Sequence, residues 1–362
     1  MKSRIYLDHA ATTPVSAAAI AAMTAALGQI GNPSSVHAGG RAAYAILETA
    51  RNDVTRFAGA LPEQIIFTSG GTEALALALH GARLPGSGAR LRVLAGATEH
   101  DAVLQACEDI ALLPVDRHGL IDLAALEQAL LAGPALVAVQ AGNNETGVVQ
   151  PLAVIAAITH AAGGLLLADC VQAAGKIELP AAADFIALSA HKLGGPPGVG
   201  ALVARAPETL HAVQRGGGQE RGHRGGTHNL PGIAGFAAAA GEVHDWAGVA
   251  ARRSAMEADL IAAGAVIHGN AAPRLPHISS IGMAGVPAAT QVMMLDLDGF
   301  MVSAGAACSS GKVKSSHVLD AMGIGAGAGE AIRVSLSAST SDADIAAFIA
   351  AWLAMAARLG RS

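Results

Sequence analysis

The chain has 362 residues, of which 52% are hydrophobic but only 3% aromatic, enough apolar surface for a large catalytic domain and a smaller companion. Its mean hydropathy is +0.43, yet alanine carries much of that excess, and no uninterrupted apolar run reaches the roughly 18 residues of a membrane span. A net charge of -5 gives no basic footprint for nucleic acid, and three cysteines without paired spacing fit a reducing cytosol rather than a disulfide framework or a zinc site.

Met1 to Tyr6 runs directly into a motif, so no signal peptide is expected. Ala17 to Leu27 is an alanine-rich helical stretch. Ile65 to Leu75 reads as a strand, a glycine turn and a helix start, whose free N–H groups favour a dianion. Gly70 and Gly71 permit close approach, and Thr72 offers both an amide and a hydroxyl. The turn lacks the Walker lysine and the spacing of the dinucleotide fingerprint, which disfavours nucleotide binding. His100, taken alone, reads as a helix-start residue. Cys107 lies in a helical pattern and reads as a packing residue. Leu136 to Val139 and Ile155 to Ala162 continue an alternation of strand and helix that predicts an α/β layered fold.

Leu165 to Asp169 is a buried-strand pattern ending in a carboxylate, at the kind of position where open α/β sheets bind ligands. Asp169 could cap a helix, or it could hold a pyridine nitrogen protonated; the nearness of Lys192 favours the second. Cys170, just after the strand, reads as packing. Ala183 to Ser189 is a further strand pattern, followed by Ser189-Ala190-His191-Lys192 and a turn from Gly194 to Gly198. A lysine so placed can condense with the aldehyde of pyridoxal phosphate. A helical stretch from about Gly241 to Gly264 is expected to lead into a smaller domain, where Ile278 to Ile281 and Ile332 to Ser335 are strand patterns that no longer alternate with helices. Ala304 to Gly311 is built of small residues and carries Cys308, which suits a mobile loop thiol better than packed core. Ile345 to Ala357 closes the chain as an apolar helix whose Phe348 and Trp352, one turn apart, are expected in the core.

Together, Tyr6 to Pro14, Gly31 to His37, Phe67 to Glu73, Thr98-Glu99-His100, Asn143 to Gly147, Asp169 to Gln172, Ser189 to Lys192, Gly216 to Gly222, Ser303 to Gly311 and Ile332 to Ser335 resemble, in order and spacing, the cysteine desulfurases. The resemblance runs nearly end to end. It implies the pyridoxal-phosphate fold of type I, aspartate-aminotransferase-like, with a mostly parallel sheet in a large domain (15–249) and a smaller α+β domain (1–14 and 250–362) carrying the cysteine loop. It also implies roles. Lys192 is the Schiff-base lysine and moves the α-proton; His100 stacks on the ring and shuttles protons. Asp169 pairs with the pyridine nitrogen and Gln172 with the ring's phenolic oxygen. Gly71, Thr72, Ser189 and His191 surround the phosphate, and Thr227 reaches the phosphate of a partner subunit. Asn144 serves both cofactor and substrate, and Arg333 grips the substrate carboxylate with its planar fork.

In the family's reaction a loop thiolate, Cys308 here, attacks the sulfur of L-cysteine, giving a persulfide and releasing alanine. A free thiol with a pKa near 8.5 is only slightly ionised at neutral pH, so a local base such as His100 is expected to assist. The resemblance further implies a homodimer, with Gly216 to Gly218 and Arg221 to Thr227 crossing to the partner. A sulfur-acceptor protein such as a cluster scaffold is the expected recipient, and the cysteine loop resembles the longer-loop group. His9 stands where members often have asparagine, and Gly71 where they often have alanine. The chain ends without the longer tail that some members use to dock a scaffold. A selenocysteine lyase or β-lyase of the same fold would use Lys192 and Arg333 without needing Cys308. An aminotransferase would need a second mode of substrate binding, and a cluster scaffold would need more cysteines.

Overall fold

The computed structural model describes residues 4–305 and 315–359. The chain begins with β1 (Ile5–Tyr6), α1 (Ala17–Leu27) and α2 (Ala38–Ala58). There follow β2 (Ile65–Thr68), α3 (Gly71–Gly81), β3 (Arg92–Gly96), α4 (Asp101–Leu104), β4 (Ile110–Leu113), α5 (Leu123–Leu130), β5 (Ala135–Gln140) and α6 (Leu152–Ala161). Then come β6 (Leu165–Asp169), β7 (Phe185–Ser189), β8 (Gly200–Ala204), α7 (Leu230–Ala240) and α8 (Trp246–Ala262). The rest is β9 (Val266–His268), β10 (Ile278–Gly282), α9 (Ala288–Asp298), β11 (Phe300–Met301), β12 (Ser303–Ala304), α10 (His317–Ala321), β13 (Ala331–Ser335) and α11 (Asp342–Leu359).

The larger sheet has seven strands in the order β2-β8-β7-β6-β5-β3-β4. Only β8 runs against its neighbours; the other pairings are parallel. A sheet covered on both faces reads as continuous apolar runs, and β5, β6, β7 and β8 are buried along their whole length. One face is packed by α2, α6 and α7 through Leu47, Val54, Ile155 and Phe236, the other by α3 through Leu75 and Leu79. In register, Gln140 stands beside Asp169, while Thr68 and Ser189 both pair with Gly200. The carboxyl ends of β2, β5, β6 and β7 therefore share one edge, where an open α/β sheet presents its ligand crevice.

A second, antiparallel sheet has the order β12-β13-β10-β9. Its core gathers Leu7, Val249, Leu260, Phe348 and Trp352, so the last helix and the short N-terminal strand close the same unit, β1 pairing in parallel with β11. Two expectations need correction. The stretch expected to be helical from Gly241 starts only at Trp246, because Gly241 terminates α7 and the Asp245 side chain caps α8 by accepting from Gly248 N. Cys107 is not helical: α4 ends at Leu104, and Cys107 lies half-buried in the following loop with its Sγ 4.0 Å from His80 Nδ1.

The glycine-rich segment before α7 is fastened from inside. Glu220 is 4% exposed and accepts from both terminal nitrogens of Arg51 at 2.9 and 2.8 Å, from Phe67 N at 2.9 Å and from His228 Nε2 at 2.7 Å. Burial pushes the Glu220 carboxyl up, but the bonds from His228 and Arg51 outweigh it and hold the group at about 2. Glu220 and Arg221 both take left-handed backbone, at φ 46° and 54°, a conformation that costs about 1 kcal/mol or more for residues other than glycine.

Candidate active site

At the shared strand edge lies a cavity of about 690 Å³ lined by Gly71, Thr72, His100, Asn144, Asp169, Gln172, Ser189, His191, Lys192 and Arg333. Ten of the residues expected from the sequence thus meet at one place. Thr227 is not among them; it is exposed on the single chain. Cys308 lies outside the described residues, although Gly305 and Ser315, which flank the undescribed stretch, line the same cavity.

Lys192 follows β7 in a short 3-10 turn. Its Nζ donates to Ala10 O at 2.6 Å and Ala11 O at 2.7 Å. Burial, with Arg333 adding and Asp8 and Asp169 opposing, lowers its amine to about 8, so a useful fraction is neutral and nucleophilic near physiological pH. Asp169 ends β6 and accepts from Val171 N at 2.9 Å. Burial raises its carboxyl, with Val171 N–H, His100 and Lys192 working against the rise. His100 is at once the N-cap of α4, its Nδ1 accepting from Ala102 N at 3.0 Å, and part of the cavity wall. With Nδ1 an acceptor, the neutral ring carries its proton on Nε2. Burial, and then Lys192, hold His191 at about 4; its Nδ1 lies 3.2 Å from Thr12 Oγ1.

Arg333 comes from β13 of the smaller sheet. Its guanidinium donates to Asn144 O at 3.0 Å and to Asp8 Oδ1 at 2.8 Å, and its Nε is buried without a partner among the described residues. Sequence reasoning gave no role to Asp8, which orients this fork, nor to Glu99, Glu145 and His317, the last two of which line the cavity. Glu99 is buried with neither oxygen hydrogen-bonded among the described residues, and burial raises its carboxyl well above the usual range, with the Gln140 contact opposing and Asp169 adding. Glu145 is raised by burial against bonding from Ser316 and the charges of His317, Arg333 and His100. His317 Nε2 lies 2.9 Å from Glu99 O. Asp8, Glu99 and Glu145 all fall inside motifs quoted above, so the signal for them was present. His317 falls outside every such motif.

Two observations test the fit to pyridoxal phosphate. The first turn of α3 opens on the cavity with no side chain capping it at Gly70, an anion cradle with Thr72, Ser189 and His191 around it. A Cβ on Gly71 would come within 2.6 Å of Val171 Cγ2, so the cradle is tight. At the other end Gln172 has Oε1 buried without a partner among the described residues while Nε2 donates to Ala10 O at 2.8 Å. A polar amide atom and the Asp169 carboxylate therefore face a space that a ring with a basic nitrogen and a phenolic oxygen would fill. The residues fit the group.

A mostly parallel sheet with a lysine, an aspartate and an uncapped helix at one strand edge defines a type I pyridoxal-phosphate fold. The aminotransferase class-V family model matches residues 5–348. Among characterised relatives, a cysteine desulfurase of Cereibacter sphaeroides is 40% identical over 336 residues, 88% of this chain and 87% of its own length. A NifS-like protein of known structure superposes with a TM-score of 0.88 at 32% identity, covering 98% of this chain and 100% of its own. The structure of SspA in complex with cysteine gives 0.80 at 29% identity, covering 91% of this chain and 98% of its own. The chain belongs to the class-V aminotransferase family and, within it, to the cysteine desulfurases.

Proposed function

We propose that this protein converts L-cysteine to L-alanine with pyridoxal phosphate and passes the sulfur through Cys308 to an acceptor protein. The observation that carries the reading is the convergence of Lys192, Asp169, His100 and Arg333 on one cavity. Pyridoxal phosphate, when bound, supplies an electron sink for bond breaking at the substrate's Cα and Cβ. The α3 N-terminus with Thr72, Ser189 and His191 would hold its phosphate, Asp169 its pyridine nitrogen, Gln172 its ring oxygen and Lys192 its aldehyde carbon.

Arg333, preset by Asp8, receives the substrate carboxylate together with Asn144. Lys192, whose amine sits at about 8, takes the Cα proton and returns it. His100 offers its Nε2 proton on the cavity side and can relay one from a thiol. The Cys308 thiolate attacks the substrate sulfur, so the Cβ–S bond breaks as an S–S bond forms. The electron pair of the Cβ–S bond stays with Cβ, which takes up the proton given up by the thiol, so one persulfide appears on the enzyme and alanine departs with its Cα proton restored. A reductant or an acceptor thiol then removes the outer sulfur.

The protein works as a homodimer in which Thr227, exposed on the single chain, reaches the partner's phosphate site. Among the described residues no helix is long and apolar enough to cross a membrane, and the three cysteines suit a reducing cytosol. The test is sulfide and alanine release from L-cysteine, with reductant, for the wild type and Cys308→Ala. Equal amounts of both products, lost in the variant while its cofactor absorbance persists, are expected. A variant as active as the wild type removes Cys308 from the mechanism and favours the reading as a selenocysteine lyase or related lyase of the same fold.

A further inference from the structure

Lys192 also walls a second cavity of about 220 Å³, together with His9, Lys176, Trp246 and His277. Apart from Lys192, no residue assigned above to cofactor or substrate lines it. Several of its polar groups find no partner among the described residues. His277 is 1% exposed, and neither of its ring nitrogens has a hydrogen-bond partner among the described residues. The indole Nε1 of Trp246 is likewise buried and unpartnered among them, its ring 5.7 Å from that of His277. Lys176 Nζ stands 5.7 Å from the Trp246 ring centroid. It donates to Lys192 O at 2.9 Å and, at 3.4 Å, to Ala174 O, which leaves a third N–H.

No carboxylate among the described residues offsets the Lys176 charge; burial first, and then Lys192, lower the amine to about 7. Burial holds His9 at about 4, the Tyr6 contact opposing and Lys176 adding, so that ring is neutral, and its Nδ1 is taken by Thr13 Oγ1 at 2.8 Å. Burial also holds His277 well below its ordinary value, with Lys176, His9, Arg333 and Arg253 adding. Each buried donor left without a partner loses its hydration without repayment, and several such groups surround one space. That space is several times the roughly 30 Å³ of a water molecule.

The opposite chemistry is present too. Phe57, Leu193 and Leu336 line the same cavity, so an occupant meets an ammonium, an indole N–H and an imidazole along with apolar surface. A carboxylate on a short hydrocarbon group matches both better than a hydrated halide does. Glu242 also lines the cavity; its side chain is 27% exposed and lies 3.7 Å from His244 Nε2, and its charge disfavours a dianion. We propose that this cavity binds a small monocarboxylate, its anionic end on Lys176, Trp246 and His277, separate from the substrate site and sharing only Lys192 with it.

The test titrates the holoenzyme with sodium acetate at fixed pH and ionic strength and reads tryptophan fluorescence, to which only Trp246 and the core residue Trp352 contribute. A saturable change is expected in the wild type and in Arg333→Ala, which has lost the substrate's carboxylate clamp. Lys176→Met is expected to weaken it at least about tenfold, the loss of one charge-assisted contact. No saturable change in the wild type, loss of the change in Arg333→Ala, or unaltered affinity in Lys176→Met each overturns the proposal. Sodium chloride over the same range is expected to give no response; an equal response reassigns the site to halide and overturns the carboxylate. Should Lys176→Met fail to fold, a wild-type crystal grown in acetate decides, with acetate beside Lys176 Nζ expected and water alone there overturning it. None of these readouts depends on turnover.

Discussion

Two buried clusters of charge in this molecule are handled in opposite ways. Around Glu220 both carboxylate oxygens are occupied, by Arg51, His228 and the Phe67 amide. Around Lys192 the groups are buried but underpaired: the cavity-lining Arg333 Nε and Gln172 Oε1 lack partners among the described residues, where the lysine amine has two backbone carbonyls as acceptors. A satisfied network holds a shape and does nothing else. An unsatisfied one costs stability and waits for a molecule that completes it. The contrast separates scaffold from site more clearly than burial alone, since both clusters are buried.

The largest expected effect falls on activity and the next on stability, and each should spare the other region. Lys192→Ala is expected to lower turnover by at least about 10³-fold and to abolish the visible absorbance of the lysine-bound cofactor, with thermal stability at or above that of the wild-type apoprotein; an absorbance spectrum and a melting curve check both. Glu220→Ala takes away the bidentate partner of buried Arg51, leaving it Glu48 and the Ile65 carbonyl, and is expected to cost about 3 kcal/mol in denaturant unfolding. If Glu220→Ala melted like the wild type, the cluster would not be scaffold. The same carboxylate has a pH signature: its folded value of about 2 lies below its ordinary 4.5, so its contribution is complete above about 4.5 and is lost as pH falls from there towards 2.

Arg333→Lys keeps the charge but not the fork, and is expected to lower kcat/KM for L-cysteine by about 10–100-fold, mainly through KM; steady-state kinetics decide. For Lys192 the amine is lowered to about 8 by burial and by Arg333, with Asp8 and Asp169 opposing. The rate at which apoprotein takes up pyridoxal phosphate should therefore rise about tenfold per pH unit below 8 and level off above it, followed at the cofactor's visible band. A rate flat from pH 6 to 9 would mean the lysine is not depressed. The smallest effect is expected at Gly71→Ala. The new Cβ meets the end of the Val171 side chain at 2.6 Å and Ser189 Cβ at 3.4 Å, so a rotation of Val171 should limit the loss to about 1 kcal/mol.

Much of this was legible along the chain. Leu165 to Asp169 coincides with β6 because a strand buried on both faces must be apolar until it reaches the ligand edge. Lys192 stands where a strand and a tight turn put it, and Phe348 and Trp352 are core, as their spacing suggested. The errors were local. Cys107 fell into an apparent helical pattern, but α4 lasts only one turn before the chain bends towards β4. The expected helix from Gly241 merged two helices across a break that Gly241 and the Asp245 cap impose.

By itself, then, the order of apolar runs, glycine turns and chemically capable residues determined the layered fold and brought Asp169 and Lys192 to one strand edge, because these depend on contacts within a strand and its following turn. Only the tertiary structure decided which polar groups go unanswered. Asp8 meets Arg333 across 325 positions, and Lys176, Trp246 and His277 enclose a cavity although they come from three distant stretches. Whether a buried donor finds an acceptor is settled by how separate elements pack, and no local pattern encodes it.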